Sequence, residues 1–165
     1  MIMNWIETLI NKIDNIEYNS NFTLLLDNRE KYIIKLIGNA PFVKTQNLDV
    51  GDMHFLIDNE LILVIERKTL KDLSSSIKDG RFREQKARLS VLNCEMLYLI
   101  EGFILNRLFA NLYQHKLNGI PVSTLLGAQT NILIRDDIKI IRTSCIEETI
   151  FYILDICKKL KKSGK

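Results

Sequence analysis

Apolar residues recur along this chain in two rhythms, and the switches between them mark out its elements. Trp5, Ile6, Leu9, Ile10, Ile13 and Ile16 fall at helical spacing and predict an amphipathic helix over residues 4–16, within an N-terminal extension of residues 1–20. Phe22 to Leu26 is a short apolar run that ends in Asp27-Asn28-Arg29-Glu30, as a buried strand opening into a loop would. Residues 32–37 fit a helix or a strand, and Gly38-Asn39-Ala40-Pro41 stops either. Two apolar runs, 53–57 and 61–65, flank the polar Asp58-Asn59-Glu60 and predict a β-hairpin. Pairing outward from Asn59 sets Ile57 opposite Leu61, Phe55 opposite Leu63 and Asp52 opposite Glu66. A helix over 70–77 breaks at Asp79-Gly80, and a second, with Phe82, Leu89 and Leu92 on one face, runs to about residue 93. A strand at 96–100 ends in Glu101-Gly102. Helices at 104–117 and 122–134 are separated by Asn118-Gly119-Ile120-Pro121, and a strand at 138–141 and a helix at 146–160 close the chain. Strands and helices alternate after the initial hairpin, which predicts an α/β fold with a mixed sheet and helices on both faces.

Composition narrows the class. The 165 residues suit one domain, and 47% apolar with 26% charged residues excludes disorder and fibrous repeats. The longest purely apolar run, residues 61–65, is far short of the ~20 residues of a membrane span. The N-terminus has no basic lead-in or small-residue cleavage site, so an intracellular protein with no membrane partner is expected. Cys94, Cys145 and Cys157 form an odd, dispersed set that suits reduced, packed thiols rather than disulfides or zinc. The net charge of +3 is too mild to name a polyanion partner, but its distribution is uneven. Arg81, Arg83, Lys86 and Arg88 crowd together, and Lys158, Lys159, Lys161, Lys162 and Lys165 form a basic tail. Either run also suits a solvated helix face.

The hairpin register brings chemistry into view. Opposed residues of an antiparallel pair hold their Cβ atoms about 4.5–5.5 Å apart, so Asp52 and Glu66 would face each other. Lys68 would share their side of the sheet, and Arg67 would point to the other, toward an ion pair or a phosphate. Like charges that close call for a cation or a shared proton. Hard oxygen ligands with an open aqueous side suit Mg²⁺, and a neighbouring lysine can orient the attacking water or offset phosphate charge. These are the parts of a phosphodiesterase, although a surface hairpin with charged ends is the plain alternative. His54 lies on the Asp52 side and suits a packed, hydrogen-bonded histidine better than a ligand. Ser74, Ser75 and Ser76 have no indicated base and suit capping or loop bonding.

Gly51-Asp52, Glu66-Arg67-Lys68 and Asp72 together resemble the GDx(n)ERKx3D signature of the XPF and Mus family of structure-specific endonucleases. The continuation from Asp72 through Asp79-Gly80-Arg81-Phe82-Arg83-Glu84-Gln85-Lys86 to Leu89 is similar to the Mus branch, and Asp27-Asn28-Arg29-Glu30 fits its DxRE element. The resemblance is dense from Asp27 through Glu101. It implies a restriction-endonuclease-like fold, a single nuclease domain over 1–165 and a Mg²⁺ requirement, with Mn²⁺ as a substitute. It also implies cleavage of branched or flapped DNA in repair or recombination. The family's catalytic positions carry over to Asp27, Asp52, Glu66, Arg67, Lys68 and Asp72, with Asp27, Asp52 and Glu66 as metal ligands.

Arg81, Gln85 and Arg88 fall on one side of their helix, opposite Phe82 and Leu89, and with Arg29 are the expected contacts to the DNA backbone. Family members commonly append a tandem helix-hairpin-helix module, and this chain ends about where it would begin. They also pair with a second copy or an inactive relative, here expected through helices 122–134 and 146–160, whose apolar stripes equally suit core packing. The competing functional readings are an inactive DNA-binding or scaffold subunit, and an RNA-directed nuclease on the same fold.

Overall fold

The structure, a computed structural model, describes residues 3–17 and 21–163. The chain divides into two compact units, Met1–Ile65 with Glu147–Lys165, and Glu66–Ile146.

In the first unit, helix α1 (Asn4–Asp14) buries Ile6 and Ile13, two turns apart on the face the spacing predicts. Of the extension expected over residues 1–20, residues 1–2 and 18–20 lie outside the described residues. Strand β1 (Phe22–Asp27) runs between β2 (Val43–Gln46), to which it is parallel, and β3 (Met53–Ile57), to which it is antiparallel. Strand β4 (Glu60–Thr69) pairs antiparallel with β3, so the order is β2-β1-β3-β4, and the last four residues of β4 belong to the second unit. Leu24, Leu26, Met53, Phe55 and Ile65 are fully buried from these strands, with Ile33 and Ile37 from α2 (Lys31–Ile37). That i, i+4 pair resolves the ambiguity of residues 32–37 in favour of a helix. Helix α6 (Ile146–Ser163) adds Ile150, Ile153, Leu154 and Cys157 to this unit's core. Its Lys161 Nζ donates to the carbonyls of Ile13 and Asp14 (2.9 and 3.2 Å), where the last turn of α1 has carbonyls to satisfy.

In the second unit the order is β4-β5-β8, with β5 (Glu95–Glu101) parallel to β8 (Lys139–Thr143). Leu97, Tyr98, Leu99 and Ile100 are buried as one continuous run, the habit of a parallel strand covered on both faces. Helices α3 (Leu70–Lys78), α4 (Phe82–Ser90) and α5 (Val122–Ile134) belong to this unit. Helix α4 buries Phe82 and Leu89, leaves Arg88 and its N-cap residue Arg81 exposed and stops short of residue 93.

Three expectations need correction. The hairpin turn is the two residues Asp58-Asn59 with φ of +52° and +67°, a primed turn whose twist matches the strands, so Ile57 faces Glu60 and not Leu61. A bulge beside Phe55 and Leu56 adds one residue to β4 and restores Phe55 opposite Leu63 and Met53 opposite Ile65. Residues 104–117 are not an α-helix: a 3-10 helix (Asn106–Asn111) leads to a hairpin of β6 (Lys116–Leu117) and β7 (Ile120–Pro121). Asn118 and Gly119, with φ of +52° and +82°, make its turn, and asparagine-glycine is the residue pair that such turns prefer. Cys145 is exposed, whereas Cys157 is buried, and all three thiols are free. No helix among the described residues is long and apolar enough to cross a membrane. Lys165, the end of the basic tail, lies outside the described residues.

Candidate active site

The expected acidic positions are distributed over both units. In the first, β1 delivers Asp27 at its end, where the carboxylate is buried. Its Oδ1 accepts from the Leu48 N–H (2.9 Å), and its Oδ2 accepts from the Arg29 N–H (3.2 Å) and Nε (2.5 Å). The Asp27 N–H donates to the Asp52 carbonyl (2.9 Å), and the Asp52 N–H donates to the Ile65 carbonyl (2.9 Å), so three strand ends are tied through the backbone of Asp52. Gly51, with φ of +76°, turns the chain into that position, and a Cβ there would lie 2.4 Å from Val64 Cγ1. Asp52 itself is half-buried. His54 Nε2 lies 2.7 Å from the Val50 carbonyl oxygen, a local bond that holds the same turn.

Burial alone would raise the Asp27 carboxyl, but the Leu48 N–H, the Arg29 side chain and the Arg29 N–H together hold it below its ordinary value. A depressed carboxylate contributes stability above the unfolded-state value, near pH 4, and that contribution is lost as pH falls through the folded value. Asp27→Asn is therefore expected to unfold at lower urea than the wild type at pH 7, with the gap closing below about pH 4. Urea midpoints measured from pH 7 to pH 3 check this, and a gap of constant size would show that the Asp27 charge is not the cause.

In the second unit, the end of β4 carries Glu66, half-buried, then Arg67 and Lys68. Arg67 forms a two-pronged ion pair with Glu101 at the end of β5, Nε to Oε1 at 3.1 Å and Nη2 to Oε2 at 2.8 Å. Lys68 is buried and its Nζ donates to Gln85 Oε1 on α4. Thr69 caps α3, its hydroxyl accepting from the Asp72 N–H (3.1 Å), which sets exposed Asp72 in the first turn, where an acidic side chain suits the helix dipole.

Within a unit, then, the structure joins Asp27 to Asp52 and to Arg29, Arg67 to Glu101, and Lys68 to Gln85. Among the described residues, no three His, Cys, Asp or Glu side chains form a group that could hold a metal ion. Glu101 is absent from the set that sequence reasoning selects, yet it carries the same signal as Asp27, an acid ending a run of buried strand residues. Gln85, grouped by helical spacing with Arg81 and Arg88, directs its amide oxygen to Lys68 instead.

The ERCC4 domain family matches residues 13–156. Over 163 residues the chain is 34% identical to the probable crossover junction endonuclease mus81 of Dictyostelium discoideum, covering 86% of this chain and 18% of that protein. Over 139 residues it is 30% identical to the ERCC4 domain-containing protein EP364R of African swine fever virus (isolate Tick/South Africa/Pretoriuskop Pr4/1996), covering 74% of this chain and 36% of that protein. Over 108 residues it is 41% identical to the human structure-specific endonuclease subunit MUS81, covering 62% of this chain and 18% of that protein. The chain thus spans only a fifth to a third or so of the length of these relatives. XPF from Aeropyrum pernix superimposes with a TM-score of 0.61 at 23% identity, covering 82% of this chain and 63% of that one. The same protein in complex with DNA superimposes at 0.63 with 20% identity, covering 87% and 66%. These likenesses show the fold, a mixed α/β, restriction-endonuclease-like arrangement.

Proposed function

Because the chain belongs to the ERCC4 domain family, we propose that it is a metal-dependent endonuclease that hydrolyses DNA phosphodiesters at branched, flapped or junction structures. The observation that carries this is the pairing of an intact Gly51-Asp52, Glu66-Arg67-Lys68 and Asp72 signature with a buried Lys68 held by Gln85. A scaffold subunit that had lost its chemistry would have no need of every acidic position, and all are present.

The donor set fits a hard divalent cation, Mg²⁺ or Mn²⁺, because it consists of carboxylates with no thiol, and the nearby imidazole of His54 is engaged with Val50. Mg²⁺ binds through one or two carboxylates while keeping water and phosphate, so a three-residue cage is not required. Asp52 and Glu66, the half-buried acids of the signature, are the proposed principal ligands. Asp27, expected as a third ligand, has both carboxylate oxygens held by Leu48 and Arg29 and is proposed to act on the ion through a bound water. When bound, such an ion supplies positive charge to the scissile phosphate and acidity to a water molecule.

The chain's own residues supply the rest. Lys68 Nζ, fixed by Gln85, is the proposed group that orients the attacking water and offsets charge on the phosphate. Arg67, fixed by Glu101, is the proposed guanidinium clamp on a phosphate oxygen. Asp72 completes the set from the first turn of α3. Exposed Arg81 at the N-cap of α4, exposed Arg88 in α4, and Arg29, with most of its side chain exposed, give sequence-independent grip on the backbone. The partner of a nuclease dimer would meet exposed Leu133 and Ile134 of α5 or Phe151 of α6.

A panel of end-labelled flap, fork, nicked and intact four-way junction, duplex and single-stranded DNA, incubated with Mg²⁺, tests this. Cutting concentrated at the junction of duplex and single strand is expected. Cutting of plain single strands alone would remove the junction specificity, and no cutting of any substrate with Mg²⁺ or Mn²⁺ would remove the enzyme.

A further inference from the structure

Downstream of Glu101 the chain departs from its expected helix, and what it builds instead is a fixed display of exposed rings. Phe103, Leu105, Phe109 and Tyr113 are 64%, 47%, 47% and 77% exposed, whereas Ile104 and Leu108 between them are buried. The exposure does not come from a loose loop. The Leu108, Gln114 and His115 N–H groups donate to Leu105 and Asn111 carbonyls, and Asn111 Nδ2 donates to Gln114 Oε1 (2.7 Å). The Ser123 N–H donates to the Leu112 carbonyl (2.9 Å) and the Val122 N–H to that of His115 (2.9 Å), which ties the segment to the start of α5. At its other end Gly102, with φ of +149°, sits where a Cβ would lie 2.7 Å from Leu70 Cδ1, and its carbonyl accepts from Arg142 Nη2 (3.0 Å). Large apolar side chains held outward at both ends of an ordered segment mark an interaction surface.

Charge indicates the partner. From Gly102 to Arg135 the chain has no Asp or Glu, in a protein with 20 of them, while Arg107 and Lys116 stand exposed in the same segment as the rings. Outward aromatics interleaved with cations and free of acids are the recognition chemistry of unpaired nucleic acid, whose bases stack on the rings while its phosphates meet the cations. We propose that residues 103–116 form a stacking platform for single-stranded DNA, receiving the unpaired arm of a branched substrate. This rests on the nuclease reading for the identity of the substrate. The location is consistent with it, since the platform begins two residues after Glu101, the partner of Arg67.

The test uses the whole chain in EDTA, so that binding is read apart from cleavage. Fluorescence anisotropy with a labelled oligothymidylate of about 12 nucleotides, within the ~4–16 that such surfaces span, is compared with a blunt duplex. In the triple variant Phe103→Ala, Phe109→Ala and Tyr113→Ala, affinity for the single strand is expected to fall at least about 5-fold per ring removed, with duplex affinity unchanged. The three rings are exposed, so the thermal midpoint should not move, and the midpoint is measured alongside. Equal single-strand affinity in wild type and variant overturns the proposal, as does no single-strand binding by the wild type or an equal loss on the duplex. A variant that binds DNA normally but sediments as a smaller species assigns the patch to a contact between copies and equally overturns it. If the wild type binds the single strand through these rings yet cuts nothing with Mg²⁺, the nuclease reading fails and the platform stands.

Discussion

Glu66→Gln and Asp52→Asn are each expected to lower the single-turnover rate of flap cleavage in Mg²⁺ by roughly 10²- to 10³-fold, the usual consequence of removing one group that stabilises transition-state charge. Both substitutions keep the shape of the side chain and remove its charge, so loss of packing is a minor contribution. Both residues are half-buried, which limits the cost to stability and leaves an aqueous side for a hydrated cation. A second readout separates ligand loss from a misplaced substrate. Titration with Mn²⁺, followed by its paramagnetic signal, should show weaker binding in either variant than in the wild type without DNA present. Arg81→Ala, by contrast, should bind Mn²⁺ normally and lose affinity for all DNA alike, with a shallower dependence on salt. If Glu66→Gln cuts at the wild-type rate and binds Mn²⁺ as tightly, the proposed metal centre is wrong however closely the signature matches.

The parts of this fold that were readable from sequence are those where one local pattern decides the outcome. Apolar runs bounded by polar residues located β1, β3 and β5, and the 3.6-residue rhythm located α1, α3 and α5, the last with the bounds observed. β2 was not readable, because it is a short edge strand with one buried residue, Val43, and its pairing to β1 is made by backbone groups that any sequence carries. Residues 104–117 misled because Ile104, Leu108 and Leu112 have helical spacing. There the asparagine-glycine turn at 118–119 and the side-chain bond from Asn111 to Gln114 outweighed a modest propensity. The hairpin register was off near its turn and right from Phe55 to Met53, since the pleat forces a one-residue slip to be repaired before it exposes Phe55. For the site, the acids at strand ends were legible one by one. Their partners were not, because Arg67 with Glu101 and Lys68 with Gln85 join residues 34 and 17 positions apart, and no local pattern encodes such separations.

The pairing of Arg67 with Glu101 makes the last expectation the most discriminating for stability. Their side chains are 17% and 10% exposed and meet through two hydrogen bonds, so Arg67→Met leaves a carboxylate at the end of buried β5 without its main counter-charge. Breaking a buried pair from one side costs about 3 kcal/mol or more, and for a chain of this size that lowers the thermal midpoint by roughly 6–12 °C. The double variant Arg67→Met with Glu101→Leu removes both charges and restores an apolar contact between the ends of β4 and β5. It should recover most of that loss, because an ion pair replaced by apolar groups of similar volume is often neutral. Cleavage should not recover with it. If Arg67 also clamps the phosphate, the double variant will be folded, thermally close to wild type, and still slower on the flap substrate by about 10-fold or more, roughly the worth of one charged hydrogen bond. Calorimetry and single-turnover rates on the two variants decide between the roles. Stability and cleavage that return together would make Arg67 a purely structural residue, whereas stability that returns alone leaves it in contact with the DNA.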